Sequence, residues 1–177
     1  MTNTSFVHLH VHSNFSCKDA TAHPHELIKA AAFYDMPAVA LTDHTTLAGA
    51  IRFYRAAQGS GVKPIIGTEI ELASGHHLTL LAENLAGYSN LCRLLSELHL
   101  SQPGETRPLA TWETLAPLAD NLVCLSGCAH SRLSQDLLQG QLTAAREFLS
   151  QLADVFPASC YVELENPLLP HTPKLMQ

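Results

Sequence analysis

At 177 residues and 19.2 kDa the chain suits one domain or the first part of a longer protein, and 46% apolar against 15% charged residues excludes a disordered polypeptide. Lysine and arginine number 10 against 16 acids, a net charge of −6, which excludes a domain that grips nucleic acid by electrostatics alone. Histidine is the anomaly: its 11 copies outnumber lysine and arginine together, and metal or proton chemistry is the usual reason.

No stretch is apolar for long enough to cross a membrane. The N-terminus has no basic region followed by an apolar one, so no signal peptide is expected. The 5 cysteines form an odd set without a Cys-x-x-Cys pair, which argues against a disulfide framework and for a reducing, cytoplasmic compartment.

Phe6 to His12 alternates strictly, with Val7, Leu9 and Val11 on one face and His8, His10 and His12 on the other, the period of a strand. Pro24 opens a helix carrying Leu27, Ile28, Ala31 and Ala32, and Pro37 closes it. Ala38 to Leu41 reads as a short buried strand ending in Thr42-Asp43-His44. A second helix is predicted over Leu47 to Gln58, a third strand over Pro64 to Leu72 and a fourth over His77 to Ala82. Tyr88 to Leu100 follows as a helix, Ser101 to Pro108 as a surface loop and Thr111 to Leu118 as a short helix. Asn121 to Leu125 reads as a strand running into Ser126-Gly127-Cys128. Helices fit Ser131 to Leu138 and Thr143 to Phe156, a sixth strand fits Cys160 to Glu165, and the last dozen residues read as extended.

Strands alternating with helices imply an α/β fold, a mostly parallel sheet or barrel with helices outside, whose site lies where strands end and loops begin. His12, Asp43-His44, Glu69 and Cys128 all fall at or just after such strand ends. His10 lies one pleat back, and His77 opens its strand rather than ending it, so it fits the rule least well.

His10 and His12 stand about 7 Å apart along one strand face, near enough to share a metal, or they form the polar face of an edge strand. Asp19 is a loop carboxylate of the kind that usually forms turns. Asp43 can orient the neighbouring imidazole or share its cation, and it can also cap the next helix; both readings can hold. Glu69, in an apolar strand, is either paired or metal-bound, or it faces solvent with Glu71. Cys128 occupies a loop position suited to ligation or attack, whereas Cys92, Cys124 and Cys160 read as packing residues. Gathered at one end of a β/α fold, these side chains suit zinc, manganese or iron, and phosphoester hydrolysis is the chemistry that clustered ions favour.

Phe6-Val-His-Leu-His-Val-His-Ser13, followed by Phe15-Ser16 and Asp19-Ala20, resembles the opening motif of the polymerase and histidinol phosphatase (PHP) domain, in the form that begins bacterial DNA polymerase III alpha subunits. The likeness continues through Met36-Pro-Ala-Val-Ala-Leu-Thr-Asp-His44, Gly61-Val-Lys-Pro-Ile-Ile-Gly67 with Glu69, and His77-Leu-Thr-Leu-Leu-Ala82. It runs on through Gly87-Tyr-Ser-Asn-Leu91, Leu125-Ser-Gly-Cys128 and Tyr161-Val-Glu-Leu164. The resemblance implies a distorted (β/α)7-type barrel and two to three divalent ions (zinc, manganese or iron) held by His10, His12, Asp19, His44, Glu69, His77 and Cys128. It places His8 and Asp43 behind those ligands. It implies phosphoester hydrolysis, in the polymerase form 3′→5′ exonuclease proofreading.

The family's final Asp-x-His motif is not met before Gln177, and His171-Thr-Pro-Lys does not match it. The expectation is therefore a single PHP domain over residues 1–177, lacking its last strand or strands and the polymerase domains. The partners implied are a DNA 3′ end and the rest of an alpha-type subunit, with no membrane, and a second copy could pair with an open barrel edge. The competing readings are a free-standing phosphatase of small metabolites, as histidinol phosphatases are, and an inactive scaffold stabilised by metal.

Overall fold

The order of elements follows the alternation in the sequence closely. The computed structural model describes residues 6–129 and 131–164. Its helices are α1 (Pro24–Phe33), α2 (Ala50–Ala57), α3 (Leu85–Ser101), α4 (Trp112–Leu115), α5 (Arg132–Leu138) and α6 (Leu142–Val155). Its strands are β1 (Ala38–Leu41), β2 (Lys63–Leu72), β3 (His77–Ala82), β4 (Leu109–Ala110), β5 (Leu122–Leu125) and β6 (Cys160–Tyr161). The residues expected to be extended beyond Leu164, together with Glu165 and His171, lie outside the described residues.

The six strands form one sheet in the order β1-β2-β3-β5-β6, with β4 on the free side of the end of β2. The β1–β2, β2–β4 and β5–β6 pairs are parallel, but β3 runs antiparallel to both β2 and β5. The sheet is parallel-rich as expected, and β3 is its antiparallel exception. Only Ala73 to His76 separate β2 from β3, too short a link for a parallel crossover and the right length for a hairpin.

The outer face of the sheet carries the helices. Ile70, Leu78, Leu80, Leu122 and Cys124 pack with Leu91, Leu94 and Leu98 of α3 and with Phe148 and Leu152 of α6. Val39 and Leu41 pack with Ile28 of α1 and Phe53 of α2 in a second cluster. Each such side chain contributes about 1.5–3 kcal/mol by leaving water. The inner face is thinner: Ala40, Leu81 and Leu125 meet there, flanked by Ile65 and Val123. Glu69 and Thr79, cross-strand partners, continue that inner face towards the rim.

Phe6 to His12 does not form the predicted regular strand. It lies along β1 with one isolated bridge, His8 to Val39, and two backbone bonds, from Ala40 N–H to His8 O and from Thr42 N–H to Val11 O. The ladder breaks because Val11 N–H donates to the Thr42 hydroxyl at 2.9 Å instead of to a carbonyl. The second helix also starts later than predicted, at Ala50, because Thr45 takes a left-handed φ of 47° and turns the chain before it. The α3 helix starts earlier, since Asn84 caps it through Ala86 N–H and Gly87 N–H.

Candidate metal centre

A single carboxylate organises the rim. Glu69 is 2% exposed, and its inward direction follows from the two-residue period of β2. Its Oε2 lies 2.6 Å from His10 Nε2 and 3.7 Å from His12 Nε2. Its Oε1 lies 2.8 Å from His44 Nδ1 and 2.7 Å from His77 Nδ1. Neither close approach to Oε1 has hydrogen-bond geometry, so this buried oxygen accepts no proton from the two rings. Imidazole nitrogens converging on a carboxylate oxygen without sharing protons are the donor set of a metal ion.

The side chains of the cluster arrive on several separate segments. His10 and His12 come from the stretch beside β1, with their Nε2 atoms 3.2 Å apart. His44 follows β1 and bridges directly to Glu69 in the sheet. The turn behind it is pinned by Thr45 N–H donating to Glu69 O at 2.7 Å and by His99 Nε2 lying 2.9 Å from Thr45 O. Asp19 reaches over from the first loop, its Oδ2 2.8 Å from His44 Nε2 and the same oxygen paired with Arg107.

His77 joins the cluster because β3 is antiparallel: the start of β3 lies at the same rim as the end of β2, with His77 opposite Glu71. The rule that sites sit at strand ends holds for β2 and is inverted for β3. Cys128 follows Gly127, whose φ of 86° and whose approach to His77 O (2.4 Å from where a Cβ would stand) admit only glycine. That turn sets the Cys128 thiol beside the His77 ring. Two trios result, His10–His12–Glu69 and Glu69–His77–Cys128, each with its ligand atoms within 4.8 Å of one another and with Glu69 common to both.

Asp43 sits one layer behind, 1% exposed. It accepts from Ser13 N–H, Ser13 Oγ and Ser16 Oγ, each at 2.7 Å, and Ser16 Oγ in turn lies 3.0 Å from His12 Nδ1. Asp43 thus orients the loop that carries His12 instead of capping α2, whose N-cap is Gly49. His8 is not brought to the centre. It is exposed, two pleats back from His12, with its ring edge-on to Phe6 at 4.7 Å.

The electrostatics follow from this packing. Burial opposes charge on His10, but Glu163 and Glu69 outweigh it and push the imidazole up to about 10. Contact with Cys128 and Glu69 lifts His77 to about 10 against its burial. Glu69 is opposed by burial and yet held far below the carboxylate range by the four imidazoles around it. Partial burial works against Asp19, but Arg107 and the neighbouring His44 and His12 hold it below its ordinary value.

Two contributors escaped the sequence reading. Glu163, just beyond β6, places Oε1 2.8 Å from His10 Nδ1, and its Oε2 is buried without a hydrogen-bond partner among the described residues. The signal was available: Tyr161-Val-Glu163-Leu is a carboxylate at an inward position near the end of a strand, the same pattern as Glu69. Arg107 lies in a stretch read only as a surface loop, and nothing local marked it as the partner of Asp19.

A match to the PHP domain model spans residues 8–167. The chain belongs to the PHP domain family. The matched span contains every side chain of the cluster, Glu163 included. Among curated relatives of this PHP chain, an error-prone DNA polymerase of Symbiobacterium thermophilum is 42% identical over 181 residues, covering 94% of the chain and 17% of the relative. The DNA polymerase III subunit alpha of Escherichia coli K12 is 36% identical over 170 residues, covering 93% of the chain and 15% of the relative. That of Thermus aquaticus is 37% identical over 189 residues, covering 97% and 15%. The PHP chain thus spans about a sixth of the length of the relatives it matches. Among the described residues no helix is long and apolar enough to cross a membrane.

Proposed function

We propose that this PHP domain is a metal-dependent phosphoesterase and that, within an alpha-type polymerase chain, it removes nucleotides from DNA 3′ ends. The observation that carries the reading is Glu69, one buried carboxylate common to two trios of nitrogen, oxygen and sulfur donors. The likeness to polymerase alpha subunits over more than nine-tenths of the chain supports DNA as the substrate class.

Two to three divalent ions held by His10, His12, Asp19, His44, Glu69, His77 and Cys128 would supply activated water and stabilisation of phosphoryl charge. Glu69 fixes the spacing of the two trios. Glu163 orients His10 through Nδ1, and Asp43 orients His12 through Ser16, as outer carboxylates do for ligating histidines. Arg107 keeps Asp19 ionised and aimed at His44.

The test is element analysis of the purified chain, combined with turnover of single-stranded DNA and of a small phosphomonoester, with and without chelator. Release of 3′ nucleotides that depends on bound metal is expected. Preference for the phosphomonoester would favour a small-metabolite phosphatase. Bound metal that raises Tm while neither substrate is cleaved would reduce the domain to a scaffold.

A further inference from the structure

A cleft of about 630 Å³ opens beside the cluster, between the β2–β3 turn and α5. His77 belongs to both the cleft and the metal trio, whereas Glu69 and Cys128 do not line the cleft. A ligand group seated there lies one side chain out from the centre. The cation of the cleft is Arg132, whose Nε donates to Asp136 Oδ2 at 2.8 Å one helical turn on. Asp136 is nearly buried, so that edge of the guanidinium is fixed in place.

The two terminal nitrogens of Arg132 have no hydrogen-bond partner among the described residues, and the side chain is 37% exposed. A planar fork with one edge anchored and the other open matches the oxygens of a phosphate diester. His76 lines the same wall. Beside the Arg132–Asp136 pair the cleft is lined by Gln135, Gln139 and Gln141, so an anchored guanidinium and uncharged amides are available to an anion in a chain whose net charge is −6.

We propose that this cleft binds the phosphate next to the scissile one in a substrate of consecutive phosphodiesters, with Arg132 as the residue that holds it. The substrate class rests on the phosphoesterase reading above, and the anion chemistry rests on the cleft alone. Arg132 would then set a preference for chains over single esters.

The experiment uses the full chain and its Arg132→Ala and Arg132→Lys variants. Binding of a thymidine tetranucleotide is measured by fluorescence anisotropy in low and moderate salt. Turnover of the tetranucleotide is compared with that of the p-nitrophenyl ester of thymidine 5′-phosphate, which has one phosphate. Arg132→Ala is expected to weaken tetranucleotide binding about tenfold and to raise KM for the tetranucleotide about tenfold more than for the single ester, with kcat little changed. Arg132→Lys is expected to restore part of the loss, and metal content to stay equal in all three proteins. Equal tetranucleotide affinity in the wild-type chain and Arg132→Ala would overturn the proposal. Arg132-dependent binding in a metal-loaded chain that cleaves neither substrate would instead overturn the phosphoesterase reading and leave the cleft standing.

Discussion

His10 Nδ1 lies 2.8 Å from Glu163 Oε1, joining the segment beside β1 to the segment after β6 across 153 positions of sequence. Thr79 Oγ1 stands 3.3 Å from the same nitrogen, so the ring is aimed from two sides while Nε2 faces Glu69. Glu163→Gln should keep the fold and weaken divalent binding by the His10–His12–Glu69 trio about 10–100-fold, the usual cost of losing an outer carboxylate. A zinc titration would show one class of sites lost and the Glu69–His77–Cys128 class retained. Equal weakening of both classes would contradict this role.

Among the described residues Glu69 is the carboxylate that His10, His12, His44 and His77 share, so Glu69→Gln strikes both trios at once. Element analysis should find most of the metal gone. In the metal-free protein the buried histidines lose their counter-charge, a cost of about 3 kcal/mol. For a chain of this size that lowers Tm by about 6–12 °C, which differential scanning calorimetry can read.

The pH dependence has opposite signs with and without metal. In the metal-free chain His10 and His77 are raised from 6.5 to about 10, so the stability they contribute is complete below pH 6.5 and is lost as pH rises towards 10. Glu69 is lowered from 4.5, so its contribution is present above pH 4.5 and fades below it. Thermal stability without metal should therefore peak between these values and decline through pH 9. Metal binding must displace the imidazole protons, so affinity should rise with pH, and loading both trios at pH 7 should release at least two protons, those of His10 and His77. Calorimetry in buffers of different ionisation enthalpy counts them, and a count of zero would contradict the ligand set.

Asp43 accepts three hydrogen bonds in a site closed to water. Asp43→Ala strands the Ser13 and Ser16 donors and should cost about 2–4 kcal/mol. Its effect on metal should run through His12, because Ser16 Oγ is the link between them. Ser16→Ala should reproduce the weaker metal binding with a smaller loss of Tm.

The alternating pattern of the sequence marked most elements, and β1 and β3 match it residue for residue. Strand direction was not legible in the same way. Periodicity is blind to whether neighbouring strands run together or opposed, and that is why His77 looked misplaced until the β2–β3 hairpin put its start at the common rim. Glu69 and Glu71 share a face, but only the curl of the sheet distinguishes the carboxylate among histidines from the half-buried one further out. Phe6 to His12 kept its alternation and lost its ladder to one threonine hydroxyl, an exchange that residue patterns do not encode. The pattern around Glu163 marks an inward carboxylate, but its partner His10, 153 positions away, is not legible from it.

The hairpin also bears on the order in which the protein assembles. Glu69 and His77 are joined by a short turn and meet at small entropic cost, before α3 to α6 have been made. His10 leaves the ribosome before the other side chains of the cluster and waits longest for its last neighbour, since Glu163 emerges after all of them. An ion captured by the nascent hairpin would then act as a late clasp, drawing the segments of His10 and Glu163 together and slowing their separation once closed.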